Sequence, residues 1–110
     1  MKVTDLRAAA DAAVAPRAGK PATTIVADSA DARIVLFRID PGQEVTPHTN
    51  ASTVLMTVID GSGIVSGPSG GHDVRAGDFI AYEPNELHGM RASGERLVIL
   101  ATIAPRPGSR

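Results

Sequence analysis

The stretch P-G-Q-E-V-T-P-H-T-N, from Pro41 to Asn50, decides the reading of this chain together with A-G-D-F-I-A-Y-E-P-N-E-L-H, from Ala76 to His88. Between them runs T-V-L-M-T-V-I-D-G-S-G, Thr53 to Gly63. Each piece joins a turn marked by Gly or Pro to a short β-branched or apolar run, which is how strands linked by tight turns read. Thr46 precedes Pro47 and is pushed toward extended backbone. His48 and His88 therefore stand near the two ends of the stretch, on separate predicted strands.

Outward from this stretch, the N-terminal side holds the one predicted helix, Thr4 to Val14. Thr4 or Asp5 can cap it, and Leu6, Ala9, Ala10 and Ala13 form a narrow apolar stripe. Residues 1–20 read as this helix and a connector, packed on the outside of the domain. Strands are predicted at Thr23–Ala27 and at Arg33–Ile39, the latter apolar on both faces and hence central. Thr53–Asp60 is a long strand that Gly61-Ser62-Gly63 breaks or bends before Ile64–Ser66. The Gly67–Gly71 loop turns the chain into His72–Arg75, which Phe79–Tyr82 and Leu87–Arg91 follow. A turn at Ser93-Gly94-Glu95 precedes the last strand, Arg96–Ala104. Roughly eight to ten short strands with no helix between them predict an all-β sandwich or barrel over residues 22–104, with 105–110 a flexible tail.

The chain has 110 residues, a length that suits one domain, and 43% of them are hydrophobic, enough for a core. Net charge is −1 and the eleven Lys and Arg residues are scattered, which argues against nucleic acid as the partner. The only aromatics are Phe37, Phe79 and Tyr82, too few for a stacking platform. The absence of cysteine excludes disulfides, thiolate metal sites and a cysteine nucleophile. No apolar run approaches the ~20 residues that cross a bilayer, and Asp11 interrupts the N-terminal alanines. The expectation is no membrane partner, no signal peptide and a cytoplasmic location.

From Gly42 to Ala92 the sequence resembles the cupins, small double-sheet jelly-roll barrels. Their first motif is G-x5-H-x-H-x3–4-E-x6-G; Gly42, His48 and Gly61 fit it, while Asn50 stands at the second His and Val54 at the Glu. The second motif is G-x5-P-x-G-x2-H-x3-N; Gly77 and His88 fit, Pro84 falls one residue late, Asn85 replaces the turn Gly, and Ala92 replaces the final Asn. The resemblance implies an all-β double-stranded β-helix, or jelly-roll barrel, with a short N-terminal helix. It also implies a homodimer, for which the apolar strands Arg33–Ile39 and Arg96–Ala104 supply surface. A typical cupin is similar to a cup holding one divalent metal through three His and one Glu. On that pattern the metal ligands here are His48 and His88, with the Asn50 amide oxygen a poor third. A divalent ion (Zn, Mn, Ni, Fe or Cu) is then expected to be weakly bound or absent.

Strand alternation says what else faces the cup. If position 54 points inward, so do Met56 and Val58, and from His88 the same logic turns Met90 inward. The expected ligand pocket is small and largely apolar, with Val54, Met56, Val58 and Met90 around the histidines, the general form of a small-molecule site. The plainer alternative is a pair of core histidines satisfied by hydrogen bonds, with methionine as adaptable filler. His72, Glu44, Glu83 and Glu86 read as solvated rim or loop residues. Two functions stay open: a small-molecule-binding barrel of unassigned pathway, or a metal-dependent small-molecule enzyme of isomerase, lyase or dioxygenase type. A metal-free acid–base enzyme and a dimerising scaffold complete the alternatives; no carboxylate is visibly placed to orient either imidazole.

Overall fold

Gly61 and Gly63 do not end the strand that leads into them; they bend it. The structure, a computed structural model, describes residues 1–108, and Thr53–Gly67 runs through as one strand of 15 residues. In chain order the elements are α1 (Leu6–Ala12), β1 (Ala22–Asp28), β2 (Arg33–Ile39), β3 (Glu44–His48), β4 (Thr53–Gly67), β5 (Gly70–Arg75), β6 (Phe79–Tyr82) and β7 (His88–Ala104). The reversal expected at Ser93-Gly94-Glu95 does not occur: β7 passes straight through it over 17 residues. Two predicted pairs of short strands are thus two long ones.

Every ladder is antiparallel, and β4 and β7 lie side by side along most of their length. The first half of β4 pairs with β6 and with the second half of β7, which in turn carries β2 and then β1. The second half of β4 pairs with β5 and with the first half of β7, which carries β3. Two layers therefore face each other across two shared strands, which is the double-stranded β-helix. The crossing point is marked by register shifts between Val58 and Asp60 and between Gly61 and Gly63. Such bulges bend a strand and raise its local twist.

Alternation sorts the two faces. Val54, Met56 and Val58 point between the layers and are buried with Ile39, Leu97 and Ile99. Leu36 and Val98 point the other way and are covered by Ala10, with Leu6 beside it on α1. The outer cover explains why Arg33–Ile39 is apolar on both faces. Each fully buried Leu or Ile contributes about 1.5–3 kcal/mol.

The helix is held at both ends. Asp5 Oδ1 accepts from the Ala8 N–H at 3.1 Å, the N-cap role expected of it. Arg38, reaching out from β2, donates from Nη1 to the carbonyls of Ala10 (2.7 Å) and Ala13 (3.3 Å) at the C-terminal end. Arg96 pairs with Asp11 on the helix side and with Asp60 of β4 at 3.0 Å. Ala13 is already extended, and Val14 bridges to Thr23, so the helix is shorter than Thr4–Val14. Of the segment expected to be a flexible tail, Arg106 makes a two-pronged pair with Asp28, at 2.6 and 3.0 Å, and Ser52 Oγ donates to the Pro105 carbonyl at 2.7 Å. Ser109 and Arg110 lie outside the described residues. No helix among those described is long and apolar enough to cross a membrane.

Candidate functional site

The β3–β7 ladder places His48 directly opposite His88. Residues opposite each other in an antiparallel pair share a face, and the two imidazole centroids are 4.3 Å apart with the rings tilted by 58°. The strands approach closely here: a Cβ added at Gly89 would stand 3.0 Å from Pro47. The loops that follow β3 and precede β7 are also tied together, by the Asn85 N–H donating to the Asn50 carbonyl at 2.7 Å. Asn85 sits at φ 67°, the left-handed conformation that its short polar side chain tolerates.

Each imidazole is anchored in the same way. His48 Nδ1 lies 3.0 Å from the Thr46 carbonyl, and His88 Nδ1 lies 3.1 Å from the Glu86 carbonyl. A carbonyl oxygen has no proton to give. In each neutral ring the proton must therefore be on Nδ1, and the lone pair is on Nε2. Two backbone carbonyls thus set both tautomers and leave two Nε2 acceptors for whatever enters the site.

The two rings differ in exposure. His48 is on the exposed rim, whereas His88 is 4% exposed. Burial pushes the His88 imidazole below its ordinary pKa; the bond to the Glu86 carbonyl acts the other way, and His48 nearby adds a small further lowering. Tyr82 packs beside His88 with ring centroids 5.2 Å apart, and its hydroxyl donates to the Ser66 carbonyl at 2.6 Å. Burial, followed by the charge of Glu86, raises the Tyr82 pKa.

The depressed His88 pKa has a consequence for stability. Its unfolded-state value is near 6.5, so on acidification the unfolded chain takes up this proton first. The stability of holding His88 neutral is complete above about pH 6.5 and is lost as pH falls from there through the folded-state pKa. The expected outcome is a urea midpoint that drops between about pH 7 and 5, with a shallower drop in His88→Gln. Equal slopes for the two proteins would remove His88 as the source.

A cavity of about 50 Å³ opens beside the pair. Its polar members are His48, His88 and Asn50, and its wall includes Val54, Met56 and Met90. Phe37, Ala101 and Ile103 complete the lining. Val58 points inward from β4 as alternation requires, but it packs deeper in the core and does not border this space. Asn50 Oδ1 accepts from the Ser52 N–H at 2.8 Å, so the amide is already oriented by its own turn. No carboxylate lines the cavity, and among the described residues no group of three or more His, Cys, Asp or Glu gathers to hold a metal.

The remaining polar candidates lie elsewhere. Glu86 accepts from the Glu83 N–H at 2.7 Å, and Glu44 is exposed opposite Arg91. His72 borders a separate groove of about 460 Å³ lined by parts of β4, β5 and β6, Tyr82 among them. The sequence reading missed Phe37, Ala101 and Ile103 as lining residues. Phe37 was hidden because β2 is apolar on both faces. Ala101 and Ile103 enter because the ladder sets them opposite Met56 and Val54, a register that one sequence does not reveal.

Comparison with known proteins agrees with this architecture. A family model described as "Cupin domain" matches residues 35–103. No curated protein sequence matches the chain. Among solved structures, an RmlC-like cupin protein from Desulfovibrio desulfuricans is similar at 26% identity with a TM-score of 0.81, covering 96% of this chain and 98% of the other. An uncharacterized conserved protein with a double-stranded β-helix domain from Klebsiella pneumoniae is similar at 25% identity and TM-score 0.81, covering 96% and 90%. A predicted oxalate decarboxylase from Thermotoga maritima, at 16% identity, TM-score 0.72 and coverage of 77% and 80%, is a likeness of fold alone.

Proposed function

The chain belongs to the cupin family, and on that premise we propose that it is a small-molecule-binding barrel whose polar anchor is the His48–His88 pair. The observation that carries the reading is the matched anchoring of the two rings. Both Nδ1 atoms are tied to backbone carbonyls two residues upstream, and both rings border one small cavity. Structural histidines need no such shared vacancy. The apolar wall supplies contact area, and the imidazoles supply orientation, the usual division of labour in a small-molecule site.

The donors do not fit a resident, tightly held metal. A closed Zn²⁺ site uses four donors, and a catalytic site three plus water. Here there are two imidazoles and one amide oxygen that already accepts a hydrogen bond. A divalent ion at His48 and His88 would exchange readily and take its other ligands from solvent.

The test joins metal content to ligand binding. Elemental analysis of protein purified without a metal-affinity tag is expected to give well under one equivalent of any divalent metal. In a thermal-shift screen of small organic compounds, those that raise the melting temperature of the wild type are expected to lose their effect in His48→Ala/His88→Ala. Near-stoichiometric metal that survives dialysis and disappears in the double variant would replace this reading with that of a metal centre. Stabilisation that is equal in both proteins would remove the pair from the site.

A further inference from the structure

The larger recess of the molecule is not the one beside the histidines. The groove that His72 borders measures about 460 Å³, within the range of about 300–1,000 Å³ that small-molecule sites occupy, whereas the cavity at the pair measures about 50 Å³. Its lining comes from β4, β5, β6 and the turn before β6. β5 and β6 pair with different halves of β4 and with no other strand, so each keeps one edge free of pairing.

The apolar side of the groove is preformed. Val65, Val74 and Tyr82 are buried members of the core that border it, and Ile80 is half-buried beside them. Phe79 also lines it but is 62% exposed, one of only two phenylalanines in the chain. A ligand lying against Phe79 would take that ring out of water, which is favourable.

One carboxylate gives the groove its sign. Asp78 is the only Asp, Glu, Lys or Arg in the lining. It is half-buried, and its Oδ2 accepts from the Arg75 N–H at 2.9 Å. The ion pairs among the described residues use Asp11, Asp28, Asp40 and Asp60, so Asp78 has no cationic partner among them. The Arg75 side chain borders the neighbouring recess with Asp73, not this groove. An anion would meet Asp78 as a like charge, and a neutral apolar molecule would leave it unpaired. A cation with an apolar body uses both features.

We propose that this groove is a second ligand site, separate from the His48–His88 pair and independent of the reading above, and that it takes a small apolar amine. The ammonium group pairs with the Asp78 carboxylate, and the body lies against Val74, Ile80 and the rings of Phe79 and Tyr82. Flat bodies suit it best, because two aromatic rings are among the contacts.

The probes are 2-phenylethylamine, 2-phenylethanol and 3-phenylpropanoate, which share a phenyl ring and a two-carbon spacer and differ in charge. The chain has one tyrosine and no tryptophan, so its tyrosine fluorescence is that of Tyr82 alone, a lining residue. Each probe is titrated at neutral pH and low salt while this signal is followed. The amine is expected to bind about fivefold more tightly than the alcohol, the upper value of an exposed ion pair, and the carboxylate more weakly than either. Salt at about 0.5 M should shrink the amine's advantage. In Asp78→Asn, whose amide oxygen can still accept from the Arg75 N–H, the advantage should vanish. Phe79→Ala, at an exposed position, should weaken all three probes and keep their order. His48→Ala, on the exposed rim of the other cavity, should bind the amine as the wild type does. An alcohol that matches the amine in the wild type, or an amine advantage that survives in Asp78→Asn, would overturn the choice of an amine. A Tyr82 signal that responds to none of the probes, or amine binding lost in His48→Ala, would overturn the site.

Discussion

Gly61→Ala is expected to lower folding stability by about 4 kcal/mol or more, the upper end of what single substitutions do. Two causes add. Gly61 sits at φ +77°, where a side chain costs about 1 kcal/mol or more. A Cβ built there would also lie 1.6 Å from the Arg96 carbonyl oxygen, which is backbone of β7 and cannot rotate away. Relief requires the two longest strands to part at the point where both cross between layers. For a domain of this size each kcal/mol moves the melting temperature by about 4–8 °C, so a fall of roughly 15 °C or more is expected by calorimetry. Gly42→Ala is the control: its φ is +86°, but nothing lies within 4 Å of the added atom. It should lose only about 1 kcal/mol. Equal losses in the two variants would show that the close approach of β4 to β7 does not constrain the fold.

Asn50→His combined with Val54→Glu is expected to raise Zn²⁺ affinity by roughly four orders of magnitude. Four-donor zinc sites bind with about 10–16 kcal/mol, or about 3 kcal/mol per donor, and each 1.4 kcal/mol is tenfold. Both positions border the same cavity as His48 and His88, so the added imidazole and carboxylate would face the existing pair. The variant should also pay without metal. A carboxylate placed beside Phe37, Met56 and Ile103 lacks a cationic partner, so the apo form should melt below the wild type and Zn²⁺ should restore it. Calorimetric titration and melting with and without Zn²⁺ measure both effects. A folded variant with wild-type Zn²⁺ affinity would mean that positions 50 and 54 do not converge with the histidines on one ion.

Much of this architecture is legible in the sequence because its strands are punctuated by turn residues. Arg33–Ile39 and Phe79–Tyr82 have the bounds that pattern predicts, and Asp5 caps the helix. Legibility ends where a strand passes through its own punctuation. Gly61-Ser62-Gly63 looks like a break or bend and Ser93-Gly94-Glu95 like a turn, yet both are segments where one long strand moves from one layer to the other. Local residue type records the loss of regular pairing there but not its direction, which the contact between Gly61 and Arg96 decides. At the cavity, His48 and His88 were readable from motif spacing, and Val54, Met56 and Met90 from alternation. Phe37, Ala101 and Ile103 were not, because which apolar residue of a two-sided strand meets the cavity depends on register with β4. Nor does the sequence show that Asn50 is committed to Ser52 or that both rings are tied at Nδ1.

The central claim is that two backbone carbonyls hold His48 and His88, which border one cavity, in the tautomer with the proton on Nδ1 and the lone pair on Nε2. Long-range ¹H–¹⁵N correlation NMR at neutral pH, with the rings assigned through His48→Gln and His88→Gln, reads this directly. The account predicts that both rings, when neutral, carry their proton on Nδ1 and that both Nε2 nitrogens resonate as unprotonated acceptors. A neutral ring with its proton on Nε2 would contradict it, because its Nδ1 would then carry no proton to give to the backbone carbonyl beside it.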